Sequence, residues 1–291
     1  MKEDIVDILV IGAGASSAAA VHNLSSLGVN ILCLEQGDWM NTNDYPSNFK
    51  DWQTIRNHQF NQSPNIRKRD TDYPINEKDS EIEVANFNGV GGGTILYSGH
   101  FPRMKPSDFY VKTLDGVAED WPINYKTLEP YFAQNDINMG VSGLKGDPAI
   151  PFHELPLPPI AMGRMGEVIG QGFNKLGWHW WPSDTAIISE DYAGRAKCIN
   201  LSPCNSGCTQ GAKSSVDVAY WHKNLRKRGV ELKTRCRVRE ILVDESDRAK
   251  GVIYYDENGS ECRQLAEMVI LACNGIGTPR ILLNSISKNF P

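Results

Sequence analysis

No charge of one sign dominates this chain. Thirty Lys and Arg stand against 35 Asp and Glu, a formal net charge of −5, so the broad basic surface that nucleic acid phosphates demand is excluded. No apolar run approaches the roughly 20 residues that a bilayer helix needs. The start, MKEDIVDILV, interrupts its apolar residues with acidic ones, and a secretory signal needs a basic start and an unbroken apolar core. Cysteine is sparse: seven residues, an odd number, lie between Cys33 and Cys273. A disulfide-stapled scaffold is therefore not expected, and a soluble chain in a reducing, cytoplasmic compartment is. Repeats and low-complexity tracts are lacking too. What is present is a globular composition, 41% hydrophobic with 26 glycines, able to bury a substantial core. At 291 residues the chain is large for one compact domain and small for two, so either a two-part architecture or a chain that stops early is expected.

Asp4 to Ile11 is dense in Ile, Val and Leu and stops at Gly12, as a strand buried on both faces of a parallel sheet does. Ala15 to Leu27 carries small and apolar residues at helical spacing, ends at Gly28 and leads into Val29 to Leu34, which together predict a βαβ unit. Gln36 to about Lys78 is an irregular polar excursion, and order returns over Ile82 to Thr94, closing in a second glycine cluster. Helices are predicted over Lys126 to Asn138, Ala161 to Leu176 and, basic and amphipathic, over Ser215 to Arg228. Strands are predicted at Glu231 to Thr234, Arg237 to Val243, Lys250 to Tyr255 and Met268 to Cys273. A last helix, Thr278 to Ser285, is predicted with Pro279 in its first turn, where the fixed ring angle is harmless.

Gly12-Ala13-Gly14-Ala15-Ser16-Ser17 falls between the first strand and helix, and Glu35 closes the next strand. Each part has a physical use. Gly12 permits the sharp turn, Gly14 lets backbone amides approach a pyrophosphate, and the helix N-terminus opposes its charge. Glu35 can accept hydrogen bonds from ribose hydroxyls and would repel a 2′-phosphate, which disfavours NADP. Ser17 replaces the third glycine of the pattern, where a small residue suffices for close packing. NAD and FAD both satisfy these residues. The second cluster, Gly89-Val90-Gly91-Gly92-Gly93-Thr94, favours a flavin, whose ring needs close backbone approach along one edge.

With these motifs the sequence resembles the glucose-methanol-choline (GMC) family of FAD-dependent oxidoreductases over essentially its whole length. The resemblance rests on Ile11 to Gly14 with Glu35-Gln36-Gly37, on Gly89 to Ser98 with Arg103 and Pro106-Ser107-Asp108-Phe109, and on Asp120-Trp121-Pro122-Ile123 with Leu128-Glu129-Pro130-Tyr131. It continues in Gly207-Cys208 with Ala212-Lys213-Ser214-Ser215 and in Ala272-Cys273-Asn274-Gly275-Ile276-Gly277-Thr278-Pro279-Arg280-Ile281-Leu282-Leu283. The subgroup it most resembles acts on sugars, sugar acids and polyols, with long-chain alcohol oxidases next. The fold implied is α/β: a Rossmann-like FAD-binding domain of the GMC and glutathione-reductase type, in two parts at 1–110 and 200–291, around a partial α+β substrate or cap lobe at 111–199. By the same resemblance Gly12, Gly14 and Ala15 would hold the pyrophosphate and Glu35 the adenosine ribose. Val90, Gly93, Thr94, Ser98 and Gly99 would line the flavin, Val238 would meet the adenine through its backbone, and Ala272, Asn274 and Thr278 would approach the cofactor. Members with covalently attached flavin carry a histidine in the second glycine segment. Ile95 and Leu96 stand there instead, which implies noncovalent FAD.

Cys198, Cys204 and Cys208 are close enough in sequence for soft-metal ligation, and some sugar dehydrogenases of the family carry an iron-sulfur cluster in this region. They begin with a cysteine pair, whereas Ile199 follows Cys198 here. Structural cysteines without a metal are therefore expected, with the cluster as the alternative. Alcohol oxidation needs a base near neutral pKa, which suits histidine. His22, His58, His100, His153, His179 and His222 all read as packing or surface residues, and in the family the catalytic histidine and its partner lie well beyond the Thr278-Pro279 motif. The expectation is therefore an FAD-binding portion that stops at Pro291, before its catalytic base, leaving apolar faces uncovered and the isolated piece marginally stable. Trp178, Trp180 and Trp181 can line a sugar surface or pack a core, and Lys213 with Arg226 to Arg228 can attract an acidic substrate or form a solvated face. The substrate expected is a small alcohol or sugar, with the electron acceptor open. A noncatalytic flavoprotein or electron-transfer module is the alternative, and an NAD-dependent dehydrogenase the more distant one.

Overall fold

The computed structural model describes residues 5–285. In chain order its first elements are β1 (Ile5–Ile11), α1 (Ala15–Leu24), β2 (Ile31–Leu34), α2 (Trp52–Asn57), α3 (Pro64–Arg67), α4 (Val111–Asp115), α5 (Tyr125–Met139) and α6 (Gly163–Leu176). They are followed by α7 (His222–Asn224), β3 (Val230–Lys233), β4 (Arg237–Val243), β5 (Ala249–Tyr255), β6 (Glu261–Leu271) and α8 (Asn274–Asn284). The fold is mixed α/β with a sheet in which parallel pairs predominate.

Two compact units make up the chain. The first comprises Met1–Tyr97, Ser202–Thr209 and Ser215–Pro291, the second Ser98–Leu201 and Gln210–Ser214. The first holds a six-stranded sheet of order β3-β2-β1-β6-β5-β4. Strands β3, β2, β1 and β6 are parallel, and β5 runs antiparallel to both β6 and β4. All four side chains of β2 and the last four of β1 are buried, as covered parallel strands require. Leu9, Ile11, Leu32, Leu34, Val238, Val252 and Ile281 share one apolar core cluster.

The predicted βαβ start is present, with Asp4 outside the described residues. Helix α1 passes into a 3-10 turn that ends at Gly28 with φ 73°, a conformation that favours glycine. Strand β6 begins seven residues before the predicted Met268. Its first half, though polar, is held by antiparallel pairing with β5, and its second half pairs with β1. Helix α8 starts at Asn274 rather than Thr278, because the Asn274 Oδ1 accepts the N–H groups of Ile276 and Gly277. Pro279 therefore lies inside the helix. The order predicted over Ile82 to Thr94 is limited to a 3-10 turn, Gly92–Ile95. The predicted helix Ser215 to Arg228 is a π turn, Asp217–Trp221, followed by α7, and it is a packed element in which Val216, Ala219, Tyr220, Trp221 and Asn224 are buried.

In the second unit α5 is capped by the Asn124 Oδ1, which accepts the Thr127 N–H. The Arg103 guanidinium donates twice to Asp136, both side chains being buried. Lys213 is only 1% exposed, which overturns its reading as part of a solvated basic face.

Candidate functional site

The site forms where the strand order departs from β1 in both directions, the place where open α/β sheets leave a crevice at their carboxyl ends. Gly12 follows β1 and Ala272 follows β6. The Gly12 N–H donates to the Leu34 carbonyl and the Ala272 N–H to that of Ile11, so three strand ends are tied together. Gly12 has φ +92°, and a β-carbon there would stand 2.8 Å from the Ala272 carbonyl oxygen. Only glycine suits the position.

Beyond this turn lies a cavity of about 320 Å³, a volume at the low end for small-molecule sites. Of the residues proposed from sequence, Gly12, Gly14, Ala15, Glu35, Gly93, Thr94, Val238, Ala272 and Asn274 line it. A β-carbon on Gly14 or Gly93 would meet nothing within 4 Å. That open space at the N-terminus of α1 is a cradle suited to a phosphate group. The second glycine segment comes close to the first: a β-carbon on Gly92 would lie 3.0 Å from the Gly14 Cα. The Gly91 N–H and the buried Trp221 indole N–H both donate to the Ala13 carbonyl, and the Thr94 hydroxyl donates to the Gly91 carbonyl while accepting the Val216 N–H.

Glu35 is 6% exposed. Its Oε2 accepts the Ala13 N–H at 2.7 Å and its Oε1 that of Gly37 at 2.8 Å. Burial pushes the carboxyl above its ordinary value, with these backbone bonds opposing. Cys33 and Cys273, beside the turn, donate to the Gly12 and Ile11 carbonyls. Burial raises both thiols, Cys273 to about 11, so neither is a thiolate near neutral pH.

Val90 and Thr278 stand outside the lining. Val90 is fully buried and its N–H donates to the Asp38 carbonyl. Ser98 and Gly99 belong to the second unit, where the Gly99 carbonyl accepts the Ala186 N–H. The lining also includes Tyr73, Phe87, Asn88 and Cys236, which sequence reasoning did not single out, and Gly277 and Arg280, which it quoted in the closing motif without a site role. Tyr73, Phe87 and Asn88 are held by the irregular excursion. There the buried Arg67 guanidinium donates to both Asp72 oxygens and to the Asn61 and Asn86 carbonyls, and lies 5.0 Å over the Phe87 ring.

None of the six histidines lines the cavity. His22 bonds to Asn224, His222 stacks on Trp39, His100 meets Ser183, and His153 and His179 pair with Asp184 and Asp147. Trp180 donates to Asn174 and Trp181 to the Leu144 carbonyl, while Trp178 stacks on Phe173. Cys198 falls in the second unit, Cys204 and Cys208 in the first. Among the described residues no group of three or more His, Cys, Asp or Glu is arranged to hold a metal ion. No described helix is long and apolar enough to cross a membrane.

Residues 6–289 match the model of a family described as GMC oxidoreductase. A 2-methyl-1,2-propanediol dehydrogenase of Mycolicibacterium austroafricanum is 36% identical over 99% of this chain and 52% of its own length. The fructose dehydrogenase large subunit of Gluconobacter japonicus is 25% identical over 98% and 55%. The chain thus spans about half the length of these curated relatives. Among solved structures, pyridoxine 4-oxidase from Mesorbium loti matches with a TM-score of 0.64 at 15% identity, over 96% of this chain and 52% of that one, a likeness of fold.

Proposed function

This chain belongs to the GMC oxidoreductase family, and from that premise we propose that it is the FAD-holding portion of an oxidoreductase acting on CH–OH groups of small alcohols, polyols or sugars. The observation that carries the reading is the open glycine cradle at Gly14 and Gly93 beside the buried Glu35 carboxylate. The groups fit a dinucleotide. The amides at the start of α1 would hold the pyrophosphate and the Glu35 carboxylate would face the adenosine ribose. Gly93 and Thr94 would stand along the flavin. When bound, the flavin supplies a two-electron acceptor for the hydride of the donor. The attachment proposed is noncovalent, since Ile95 and Leu96 occupy the segment where a histidine would be needed. The dehydrogenase names of the two relatives support polyol and sugar donors.

A second reading is a flavin-holding unit without turnover of its own, with which a cavity lined by none of the six histidines is equally consistent. Purification of the full-length protein tests both. A flavin spectrum whose chromophore is released by acid precipitation supports the first reading, together with reduction of an artificial acceptor by a polyol or sugar. Bound flavin with no turnover of any such donor supports the second, and binding of NAD in place of FAD would sink both.

A further inference from the structure

The glycine cradle leaves one part of the cavity unexplained. Arg280 is the one cationic side chain among the described residues lining it, as Glu35 is the one carboxylate. No carboxylate pairs with Arg280 among the described residues. Its guanidinium lies instead over the ring of Tyr73, another lining residue, 5.2 Å from the centroid.

The surroundings say which end of a nucleotide this pair faces. The Cys236 N–H donates to the Glu35 carbonyl, which brings the chain entering β4 to the end of β2, past the carboxylate suited to ribose. Helix α8 packs along β4: Ile281 shares a buried cluster with Val238, and the Ile241 N–H donates to the Ser285 hydroxyl. Arg280 lies six residues beyond Asn274, about 9 Å along the helix from the turn that faces the phosphate cradle. Phosphate, ribose and base follow one another along a nucleotide, so the space past Glu35 is where the base belongs. A guanidinium with one face on an aromatic ring offers its other face as a flat shelf for a planar heterocycle.

We propose that Arg280, held flat by Tyr73, stacks on the adenine of the bound nucleotide and sets its affinity. The inference rests on the nucleotide reading above. The test measures binding of FAD, ADP and adenosine to the full-length apoprotein by titration calorimetry, for the wild type and for R280A, R280K, Y73A and Y73F. Loss of the planar face in R280A and R280K is expected to weaken all three ligands by a common factor of roughly ten, as stacking contacts do. Y73A is expected to follow them and Y73F to stay near wild type. Wild-type affinity in R280K, or a loss confined to FAD and ADP that fades with added salt, would mean charge pairing with phosphate and would overturn the proposal. R280K keeps the charge and the long stem, so it carries the test even if R280A folds poorly. Failure of the wild-type protein to bind any of the three ligands sinks the nucleotide reading itself. Intact wild-type binding with unchanged R280A sinks only the shelf.

Discussion

The Glu35 carboxylate clasps the Ala13 amide at 2.7 Å across 22 residues of sequence, and so draws the end of β2 against the turn that leaves β1. The same buried group is the proposed ribose acceptor, and its titration is therefore a handle on the site. Its folded-state pKa is raised above the ordinary 4.5 by burial. The folded protein thus holds this proton more tightly than the unfolded chain does. The stability it contributes is fully present below about 4.5 and is lost as pH rises through the folded value. E35Q carries no such proton, so wild type is expected to lose ground to it in urea midpoint as pH rises above about 4.5. A pH-independent difference would show that Glu35 titrates normally. E35Q should also weaken ADP at least about ten-fold, having lost a charged acceptor.

Gly12 and Gly14 are two residues apart and should respond oppositely to alanine. At Gly12 the methyl would meet the Ala272 carbonyl oxygen at 2.8 Å with φ at +92°, so backbone must move. G12A should lose about 2–4 kcal/mol of stability. At Gly14 the φ is −81° and the methyl meets nothing. G14A should keep the wild-type melting profile while its methyl fills the proposed phosphate seat and lowers ADP affinity ten-fold or more. Full affinity in G14A would remove the cradle from the binding site.

The contrast between these glycines and the rest of the lining shows what a sequence makes legible. Strand β1, α1, β2 and Glu35 follow from periodicity and spacing because a parallel strand and a helix N-terminus each impose a local pattern. Tyr73, Phe87 and Asn88 carry no such signal. Their places depend on side-chain bonds across the irregular excursion, such as the Asn88 amide donating to Asp72 and the Asn65 amide to the Ile75 carbonyl. The early start of β6 was hidden for a similar reason: Glu261, Arg263 and Gln264 are polar, and only pairing with β5 makes them a strand. Basic residues near α7 read as a solvated face, yet the Lys227 ammonium donates to the His22 carbonyl and the Ser25 hydroxyl.

The Arg67 and Asp72 pair gives the excursion its own test. Both side chains are essentially buried, and the pair is bidentate. Removing one partner leaves an uncompensated buried charge, which typically costs about 3–5 kcal/mol. D72A should therefore fall steeply in urea midpoint. Because Arg67 also underlies Phe87, nucleotide affinity should fall in the fraction that remains folded. A D72A protein as stable as wild type would show that the pair is solvated.

Trp221 ties its own turn, Asp217–Trp221, to the first glycine segment through a single bond. Its indole N–H donates to the Ala13 carbonyl at 2.9 Å, and the side chain has no exposure. The same carbonyl accepts the Gly91 N–H, so the acceptor is not orphaned when the indole is removed. W221F should therefore cost the net value of one hydrogen bond plus a small void, about 2–3 kcal/mol in all. Because the Val216 N–H, next to that turn, donates to the Thr94 hydroxyl, loosening the turn should also let the Gly91 to Thr94 segment drift from the Gly14 turn. FAD affinity is expected to drop more than ADP affinity, because only the larger ligand is proposed to reach the second segment. Equal losses for the two ligands would place the effect of Trp221 at the first turn alone.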